Sequence, residues 1–298
     1  MRKLWFSLFL VTMFSILCFS QSSKKPAEDW STAAELEATN PDIGITVQES
    51  DGSYRLFARH NKAEVSARVA AKIDQKWVRA NEYPQHTAAF TLFKDEAGGG
   101  RQLTVTNSGL AGLPDLVYIV RLHLKPSYGE IEVQVHNTTT KPVTVQAIRM
   151  LETTGDPAIN LDGLDSADRV LDLSSASASL DSARELKQAS DGNFGSSRGL
   201  LVFNTESKLG VVFGARSGSL WTASLQLHIQ PGGWSKISLC EADSVAAGVN
   251  AGGHTVAPAA TISSEPLIVS IGADSAKQLE TFRSVVPDKV QPANPSTH

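Results

Sequence analysis

The sequence predicts an all-β fold, a large antiparallel two-sheet β-sandwich with short helices near both ends. Alternating apolar and polar residues recur in run after run between positions 65 and 151, and again between 198 and 273. Short segments rich in Gly, Pro, Asn and Ser separate these runs and adopt the dihedral angles of tight turns easily. Helical periodicity occurs only near the two ends. Many evenly spaced strands with helices confined to the ends indicate two packed sheets.

The stretch "EIEVQVH" (130–136) is the clearest predicted strand. Its Ile131, Val133 and Val135 side chains point to one face, and the polar side chains between them point to the other. Successive side chains of a strand leave opposite faces of the pleat, so strict alternation of this kind indicates a half-buried strand.

Two neighbouring patterns add detail to the predicted sheets. In "VTVQAIRML" (143–151) the apolar positions change phase after Ala147, which predicts a β-bulge. The stretch "RGLLVFNTESKLGVVFGA" (198–215) has two apolar runs around a polar centre at 204–208. This arrangement predicts a β-hairpin.

Two segments have the pattern of a helix. "STAAELEAT" (31–39) begins with a capping pattern and ends before an Asn-Pro pair. "SAKQLETFRSVV" (275–286) begins with Ser275 and Gln278 at the spacing of a capping box, and a proline follows it. The remaining residues, "PDKVQPANPSTH", contain several prolines and no apolar face, which predicts a linker or a frayed end.

The first residues, "MRKLWFSLFLVTMFSILCFSQ", have the three parts of an export signal. Arg2 and Lys3 form a short basic start, positions 4–19 form an apolar run without a charge, and the sequence becomes polar at Ser20 and Gln21. The run is at the short end for crossing a bilayer, so a cleaved signal peptide is predicted rather than a stable membrane span. We therefore expect export, to the periplasm or to the extracellular space.

The predicted domain organisation has four parts. They are a signal peptide (1–20), an N-terminal segment with a short helix (21–44), the β-sandwich domain (45–272), and a connector helix with a Pro-rich tail (273–298).

Charge and cysteine content limit the partners of the exported chain. Removal of residues 1–20 takes away two of the 27 basic residues and none of the 31 acidic ones, which leaves a net charge of −6. Nucleic acid is therefore not predicted as a partner, because binding to phosphates needs a basic face. Only Cys240 remains after cleavage, so no internal disulfide can form and the core alone must stabilise the fold.

The stretch "INLDGLDSADRVLDLSS" (159–175) contains four aspartates and Arg169. An EF-hand calcium loop needs oxygen ligands at alternate positions followed by a glutamate, whereas the first three aspartates here are three residues apart. Two carboxylates can hydrolyse a glycosidic bond only when they face each other across a cleft. The aspartates can instead accept backbone N–H bonds in turns, with Arg169 as a salt-bridge partner. Turn capping, ligand contact and catalysis all remain open at this point.

Other catalytic and metal-binding patterns are weak. His123, His136 and His228 lie on polar faces of predicted strands, and they could bind a metal only if those strands were neighbours. Neither G-x-S-x-G nor a phosphate-binding glycine loop before a helix is present. Cys240 lies in a predicted strand as a small apolar residue. No cofactor, no metal and no catalytic residue is predicted.

Aromatic residues near strand ends are candidates for contact with a carbohydrate. An exposed aromatic ring can stack on the apolar face of a sugar, although packing in the core or in a turn is the alternative for each residue. Trp221 lies on an apolar face and is predicted to be in the core. The candidate carbohydrate contacts, with two aspartates of the loop, are Trp77, Tyr83, Tyr128, Trp234, Asp165 and Asp168.

Several stretches together resemble the N-terminal domain of α-galactosidase-type glycoside hydrolases, the clan that includes the raffinose synthases. They occur in the order "NEYPQHTAAFTLF", "LTVTNSGLAGLPDLVYIVRLH", "VQVHNTTTKPVTVQAIRMLE", "INLDGLDSADRVL", "GLLVFNTESKLGVVFGARS" and "EPLIVSIGADSAKQLETF". The resemblance implies a β-supersandwich, followed in that family by a helical connector and a (β/α)₈ barrel that carries two catalytic aspartates. No residue up to His298 is expected to take those two roles. The sequence departs from the family after "SADRVL".

We therefore expect an exported, non-catalytic, carbohydrate-associated β-sandwich that binds a glycan or a chain bearing a glycoside hydrolase barrel. The alternative is a component of an α-galactosidase-type glycoside hydrolase whose catalytic barrel is missing or supplied by another chain. A third possibility is a structural envelope protein without a ligand. Whether the chain takes part in an enzyme is left open.

Overall fold

The computed structural model describes residues 35–154, 159–186, 193–215, 220–231 and 240–286. It has two antiparallel sheets of ten strands each, and one α-helix among the described residues, α1 (Ser275–Val285). The predicted all-β, two-sheet sandwich is confirmed. The predicted signal peptide and the Pro-rich tail lie outside the described residues. Of the helices described, none is long and apolar enough to cross a bilayer.

The strands follow one another with short links over most of the chain. The first half contains β1 (Glu35–Thr39), β2 (Ile43–Gln48), β3 (Tyr54–Ala58), β4 (Glu64–Ile73), β5 (Lys76–Arg79), β6 (Gln85–Asp95), β7 (Gly98–Ser108), β8 (Asp115–Leu124), β9 (Ser127–His136) and β10 (Val143–Thr153). The second half contains β11 (Ile159–Asn160), β12 (Asp168–Asp172), β13 (Arg184–Glu185), β14 (Asn193–Ser196), β15 (Gly199–Asn204), β16 (Leu209–Ala215), β17 (Thr222–Pro231), β18 (Cys240–Val256), β19 (Thr261–Ser263) and β20 (Leu267–Ala273).

Each sheet combines strands from both halves of the chain. The first sheet has the order β1-β2-β3-β4-β10-β18-β17-β14, and β5 and β11 pair with β4. The second sheet has the order β13-β12-β15-β16-β20-β9-β8-β7-β6, and β19 pairs with β9. In the described residues, every strand pair within the two sheets is antiparallel. Both halves are therefore needed to complete either sheet.

The main core lies between the two sheets. Tyr54 of the first sheet and Tyr118 of the second are both buried, and their ring centroids are 5.6 Å apart. Ile131, Val133 and Val135 of β9 are fully buried, as their alternation predicts. The Trp221 side chain is also buried, so the prediction that it belongs to the core is confirmed.

A second, smaller apolar cluster lies on the opposite face of the second sheet, beneath α1. Phe282 of the helix is 1% exposed and packs against strands β15 and β16. A Cβ atom at Gly199 or Gly214 would lie within 2.8 Å of the Phe282 ring, so these two glycines allow the ring to contact the strand backbone. The sheet therefore buries apolar side chains on both faces where the helix covers it.

The predicted bulge and hairpin are present. The register of β10 shifts between Val145 and Ala147 against both of its neighbours, where the sequence changes phase. The hairpin predicted around 204–208 is formed by β15 and β16. Local pattern was sufficient in both places because the buried face decides the register.

The helix predicted over 31–39 is wrong for the described residues of that segment. Residues 35–39 form β1, which pairs with β2 along its whole length. Leu36 and Ala38 are buried while Glu37 is exposed, so the segment alternates with the period of a strand. Pairing with the sheet edge overrides the helical propensity of Ala, Leu and Glu. The described residues before 45 thus belong to the sandwich itself.

The connector helix is present, but its cap differs from the prediction. Asp274, not Ser275, is the N-cap, and its carboxylate accepts hydrogen bonds from the backbone N–H groups of Ala276 and Lys277. Gln278 instead accepts a hydrogen bond from the Ser270 hydroxyl on β20. The helix start is therefore capped by one aspartate, and Gln278 ties the helix to the sheet.

Candidate functional site

The aspartate loop is held by hydrogen bonds within the loop and to its neighbours. Asp168 accepts a hydrogen bond from the Asn204 amide at 2.8 Å, and Asp172 accepts bonds from the Ser174 N–H and hydroxyl. Burial raises the pKa of Asp172, but hydrogen bonds from Ser174 and Ser196 outweigh it, so the net pKa is lowered. The structure therefore gives these two carboxylates a role in fixing turns.

Arg169 forms its salt bridge outside the aspartate loop. Its guanidinium lies 3.4 Å from Glu185 of β13, and it also donates to the backbone oxygens of Ser166 and Asp168. The expected pairing of Arg169 with the loop aspartates is thus replaced by pairing across the strands. Asp165 lies in a short 3₁₀ turn, and its side chain is outside the described part of the structure.

Two of the aromatic candidates are buried. Tyr83 is 3% exposed, and its hydroxyl donates to the Pro114 carbonyl at 2.7 Å. Tyr128 is 2% exposed, and its ring stacks on His123 at 4.2 Å. Neither ring presents a face to solvent, so packing is their role in this structure. Trp234 lies outside the described residues. Trp77 is partly exposed, and it remains a candidate for contact with a sugar.

The three strand histidines do not come together. His123 is 1% exposed and lies between the Phe93 and Tyr128 rings, so its predicted place on a polar, exposed face is wrong. His136 is at the other end of the β8–β9 pair, and His228 belongs to the other sheet. No group of three or more His, Cys, Asp or Glu residues that could hold a metal occurs among the described residues.

Charged side chains that are far apart in sequence converge around Trp77 on the outer face of the first sheet. Strand register brings them together: Arg68 of β4 is paired with Glu152 of β10, and Ala70 is flanked by Arg149 on one side and Arg79 on the other. Cross-strand neighbours project from the same face of a sheet. Because Ala70 is small, the longer side chains around it can approach one another. We call this group, Arg68, Trp77, Arg79, Arg149 and Glu152, the arginine cluster.

Glu152 is the centre of the arginine cluster. Its Oε1 atom accepts hydrogen bonds from Arg79 Nε at 2.6 Å and from Arg68 Nη2 at 2.9 Å, while Oε2 accepts one from Arg149 Nη1. The Glu152 side chain is 12% exposed and the three arginine side chains are 26–32% exposed. A single, nearly buried carboxylate therefore holds three guanidinium groups at the protein surface.

The electrostatics of the cluster keep Glu152 ionised. Burial alone raises the pKa of this carboxyl, but hydrogen bonds from Arg79, Arg149 and Arg68 outweigh burial and lower the pKa from 4.5 to about 2. General acids and bases work best when their pKa is near the working pH. Glu152 is thus a fixed negative charge, and it is a poor proton donor or acceptor near neutral pH.

Trp77 extends the arginine cluster with an aromatic surface. The Arg149 guanidinium carbon lies 4.1 Å from the centroid of the Trp77 ring, which is the geometry of a cation–π contact. Asn81 accepts a hydrogen bond from Arg68 Nη1 at 3.4 Å, which leaves its amide N–H groups as further donors. An aromatic ring beside several polar donors is the kind of surface that recognises a polar ring such as a sugar.

Trp77 is recognisable from the sequence as a candidate, whereas the four charged residues of the cluster are not. Arg68 and Glu152 are separated by 84 positions, so no short motif joins them. The signal that could have found them is the placement of a charged side chain between buried neighbours, as for Arg149 in "QAIRML" and Arg68 in "VSARVA". Such positions face outward from the middle of a sheet.

Comparison with known proteins gives structural similarity alone. No family model matches the chain, and comparison with curated sequences finds no match. Alpha-N-acetylgalactosaminidase NagBb from Bifidobacterium bifidum, in its GalNAc complex, is similar with a TM-score of 0.53 at 8% identity over 84% of this chain and 38% of that one. The alpha-galactosidase from Lactobacillus brevis is similar with a TM-score of 0.53 at 9% identity, over 83% of this chain and 40% of that one.

A galactose mutarotase related enzyme from Lactobacillus acidophilus gives a TM-score of 0.48 at 9% identity, covering 80% of this chain and 97% of that one. The chain spans about two fifths of the length of the two glycosidases. At these identities the comparisons establish the fold, a β-sandwich of the kind found in those glycosidases.

Proposed function

We propose that the chain is an exported, carbohydrate-binding β-sandwich module that contacts its sugar at the arginine cluster and does not cleave it. The observation that carries the proposal is the partly exposed Trp77 ring beside the Arg149 guanidinium, within a cluster of guanidinium donors on the outer face of a sheet. Sugars present apolar ring faces together with hydroxyl groups, and this surface offers a partner for both.

Two further observations support the proposal. The similar glycosidases act, by their names, on galactose-type sugars, and their sandwich resembles this one. The pKa of Glu152, about 2, favours a binding role for this cluster over general acid–base catalysis. Export rests on the signal-like segment at 1–20, which is a feature of the sequence.

A second candidate is that the chain is one component of an α-galactosidase-type hydrolase whose barrel belongs to another polypeptide. The likeness of this sandwich to part of each of the two glycosidases supports it. In that case, a sugar-binding surface on the sandwich would assist a catalytic site on the partner. The two candidates differ in whether the chain alone, or only with a partner, turns over an α-galactoside.

Calorimetric titration of the purified chain with neutral and acidic galactose-type oligosaccharides tests the proposal. We expect at least one member of the panel to bind, and Trp77→Ala to weaken that binding about tenfold or more. Phe57→Ala is the matched control, because Phe57 is also a partly exposed aromatic on the first sheet with an arginine, Arg55, over its ring. This control should bind as the parent does.

Two results would contradict the proposal. If no oligosaccharide binds, or if the two aromatic variants lose affinity equally, Trp77 is not a sugar contact. If the purified chain hydrolyses an aryl α-galactoside, the non-catalytic part of the proposal is wrong. Turnover that requires a separate barrel-bearing chain would instead support the second candidate.

A further inference from the structure

We infer that the arginine cluster selects acidic saccharides, with the carboxylate of a uronic acid bound by the Arg79 and Arg149 guanidinium groups and its sugar ring beside Trp77. The inference rests on the proposed function and adds to it the chemical class of the ligand.

The arginine cluster and its immediate neighbours carry a net positive charge. The cluster contains three arginines and Glu152, and the second nearby carboxylate, Glu82, lies 3.8 Å from Arg79. These groups together carry a net charge of +1. Lys72, which is paired with Trp77 across the strands and is partly exposed, raises it to +2. The chain as a whole has a net charge of −4, so this spot has the opposite sign and would attract an anion.

The arginine cluster has more hydrogen-bond donors than its internal contacts use. Each guanidinium has five N–H donors, and in the described residues the three groups use five of their fifteen N–H donors, four to Glu152 and one to Asn81. None of the nitrogen atoms of these three arginines is both buried and without a partner. The nitrogen atoms that make no hydrogen bond with the described residues, among them Arg79 Nη2 and Arg149 Nη2, are therefore in contact with solvent, where a ligand oxygen can accept hydrogen bonds from them.

The Arg149 guanidinium and the Trp77 ring are close enough to contact one ligand, since the guanidinium carbon lies 4.1 Å from the ring centroid. A planar guanidinium matches a planar carboxylate through two parallel hydrogen bonds. In a uronic acid the carboxylate is attached directly to the sugar ring. One ligand can therefore place its carboxylate at Arg149 and its ring at the neighbouring indole.

The adjoining strand lets the Arg149 side chain lie close to the sheet. Arg149 is paired with Gly248 of β18, and Gly248 is paired with Ser224 of β17. A Cβ atom at Gly248 would lie 3.4 Å from the Arg149 Cγ atom, so the absence of a side chain lets the arginine stem lie close to the sheet.

A matched pair of ligands separates this inference from the proposed function. Trigalacturonate and the corresponding α-1,4-galactotriose differ at C6, which is a carboxylate in the first and a hydroxymethyl group in the second. By calorimetry at low salt, we expect trigalacturonate to bind at least tenfold more tightly. Its affinity should fall as sodium chloride is raised, because exposed charges are screened. Galactotriose affinity should not change with salt.

Variants test the role of the guanidinium groups. Arg149→Gln and Arg79→Gln should each weaken trigalacturonate binding at least tenfold, and should weaken it by a larger factor than they weaken galactotriose binding. Arg149→Lys keeps the charge and loses the planar fork, so it should fall between the parent and Arg149→Gln. Arg55→Gln is the control, because Arg55 lies on the same sheet but is not part of the arginine cluster. Its Nη1 atom is 3.6 Å from a Glu64 carboxylate oxygen, so it is also an arginine in an ion pair. Thermal melts of each variant identify any loss of folding.

The outcomes are distinct. Equal affinity for the two trisaccharides would overturn the inference and leave the proposed function standing. Binding of neither trisaccharide, nor of any other saccharide in the panel, would overturn both. Binding of a sulfated oligosaccharide in place of trigalacturonate would overturn the assignment to carboxylates. A trigalacturonate affinity that is the same in Arg149→Gln and in Arg55→Gln would place the acidic site elsewhere.

Discussion

Substitution of Glu152 by Gln tests the electrostatic account of the arginine cluster most directly. The variant keeps the size of the side chain and removes the charge that holds Arg68, Arg79 and Arg149 together. The difference between a pKa of 4.5 and one of about 2 corresponds to about 3 kcal/mol of folding free energy. Because the arginines are partly exposed, solvent screening reduces this to about 1–2 kcal/mol at pH 7.

The effect of the Glu152→Gln substitution depends on pH in a defined direction. The pKa of Glu152 is lower in the folded than in the unfolded chain, so its contribution to stability is complete above about pH 4.5 and is lost as the pH falls toward about 2. At pH 3 the unfolded glutamate is mostly protonated and the folded one is still mostly ionised. Less than half of the difference between parent and variant should remain at that pH.

Urea denaturation of the parent and of Glu152→Gln, at pH 7 and at pH 3, measures this dependence. The midpoint difference should be larger at pH 7, with unchanged slopes. Glu82→Gln is the control, because this carboxylate is more exposed and lies 3.8 Å from Arg79 Nη1. It should change stability by less than about 0.5 kcal/mol. A Glu152→Gln variant as stable as the parent at pH 7, or equally destabilised at both pH values, would show that the Glu152 charge does not stabilise the folded chain in this way.

Two further predictions concern the C-terminal helix. Phe282→Ala should lower the free energy of unfolding by about 3–5 kcal/mol in the same urea assay, because the ring fills the cluster between α1 and the second sheet. A loss below about 1 kcal/mol would mean that the helix is not docked there. Asp274→Ala should cost about 1 kcal/mol by removing the N-cap, whereas Asp274→Asn, which can accept the same bonds and tolerates the positive φ of this residue, should cost much less. Equal losses in the two Asp274 variants would argue against the cap.

The sequence predicts most of the fold because the sheets are amphipathic. Strict alternation in β9 assigns its buried face without any knowledge of its neighbours, and the phase change in β10 marks the bulge. The failure at 31–39 has a physical cause. The residues of β1 have helical propensity and also alternate, and the contact that decides between the two, pairing with β2, depends on tertiary structure.

His123 marks another limit of pattern analysis. Alternation along β8 places it on the face opposite Leu122, and the sequence suggests that this face is polar and solvated. The structure instead buries it between Phe93 of β6 and Tyr128 of β9. A strand pattern indicates which face a residue lies on, but the cover over that face is contributed by neighbouring strands and cannot be derived from the strand alone.

The candidate site required both kinds of information. Trp77 could be chosen from the sequence as an aromatic near a strand end, whereas its partners became visible only when the register of β4, β5 and β10 was known. Tyr83 and Tyr128 also lie near strand ends in the sequence, yet both are buried. The sequence could not separate them from Trp77 for the same reason. Exposure of an aromatic ring is decided by the elements that pack over it, not by its own segment.

The structural role of the arginine cluster and the binding role proposed for it support each other. Three arginines without a counter-charge would repel one another and move freely, and a ligand would then have to order each of them at a cost of about 0.5–1.5 kcal/mol per side chain. Glu152 already imposes that order through its hydrogen bonds, and it does so over the whole range of pH in which it stays ionised. Because one carboxylate cannot satisfy three guanidinium groups, the same arrangement leaves oriented donors at the surface. The charge that stabilises the sheet would therefore also be the one that prepares it for the second carboxylate that we propose as its ligand.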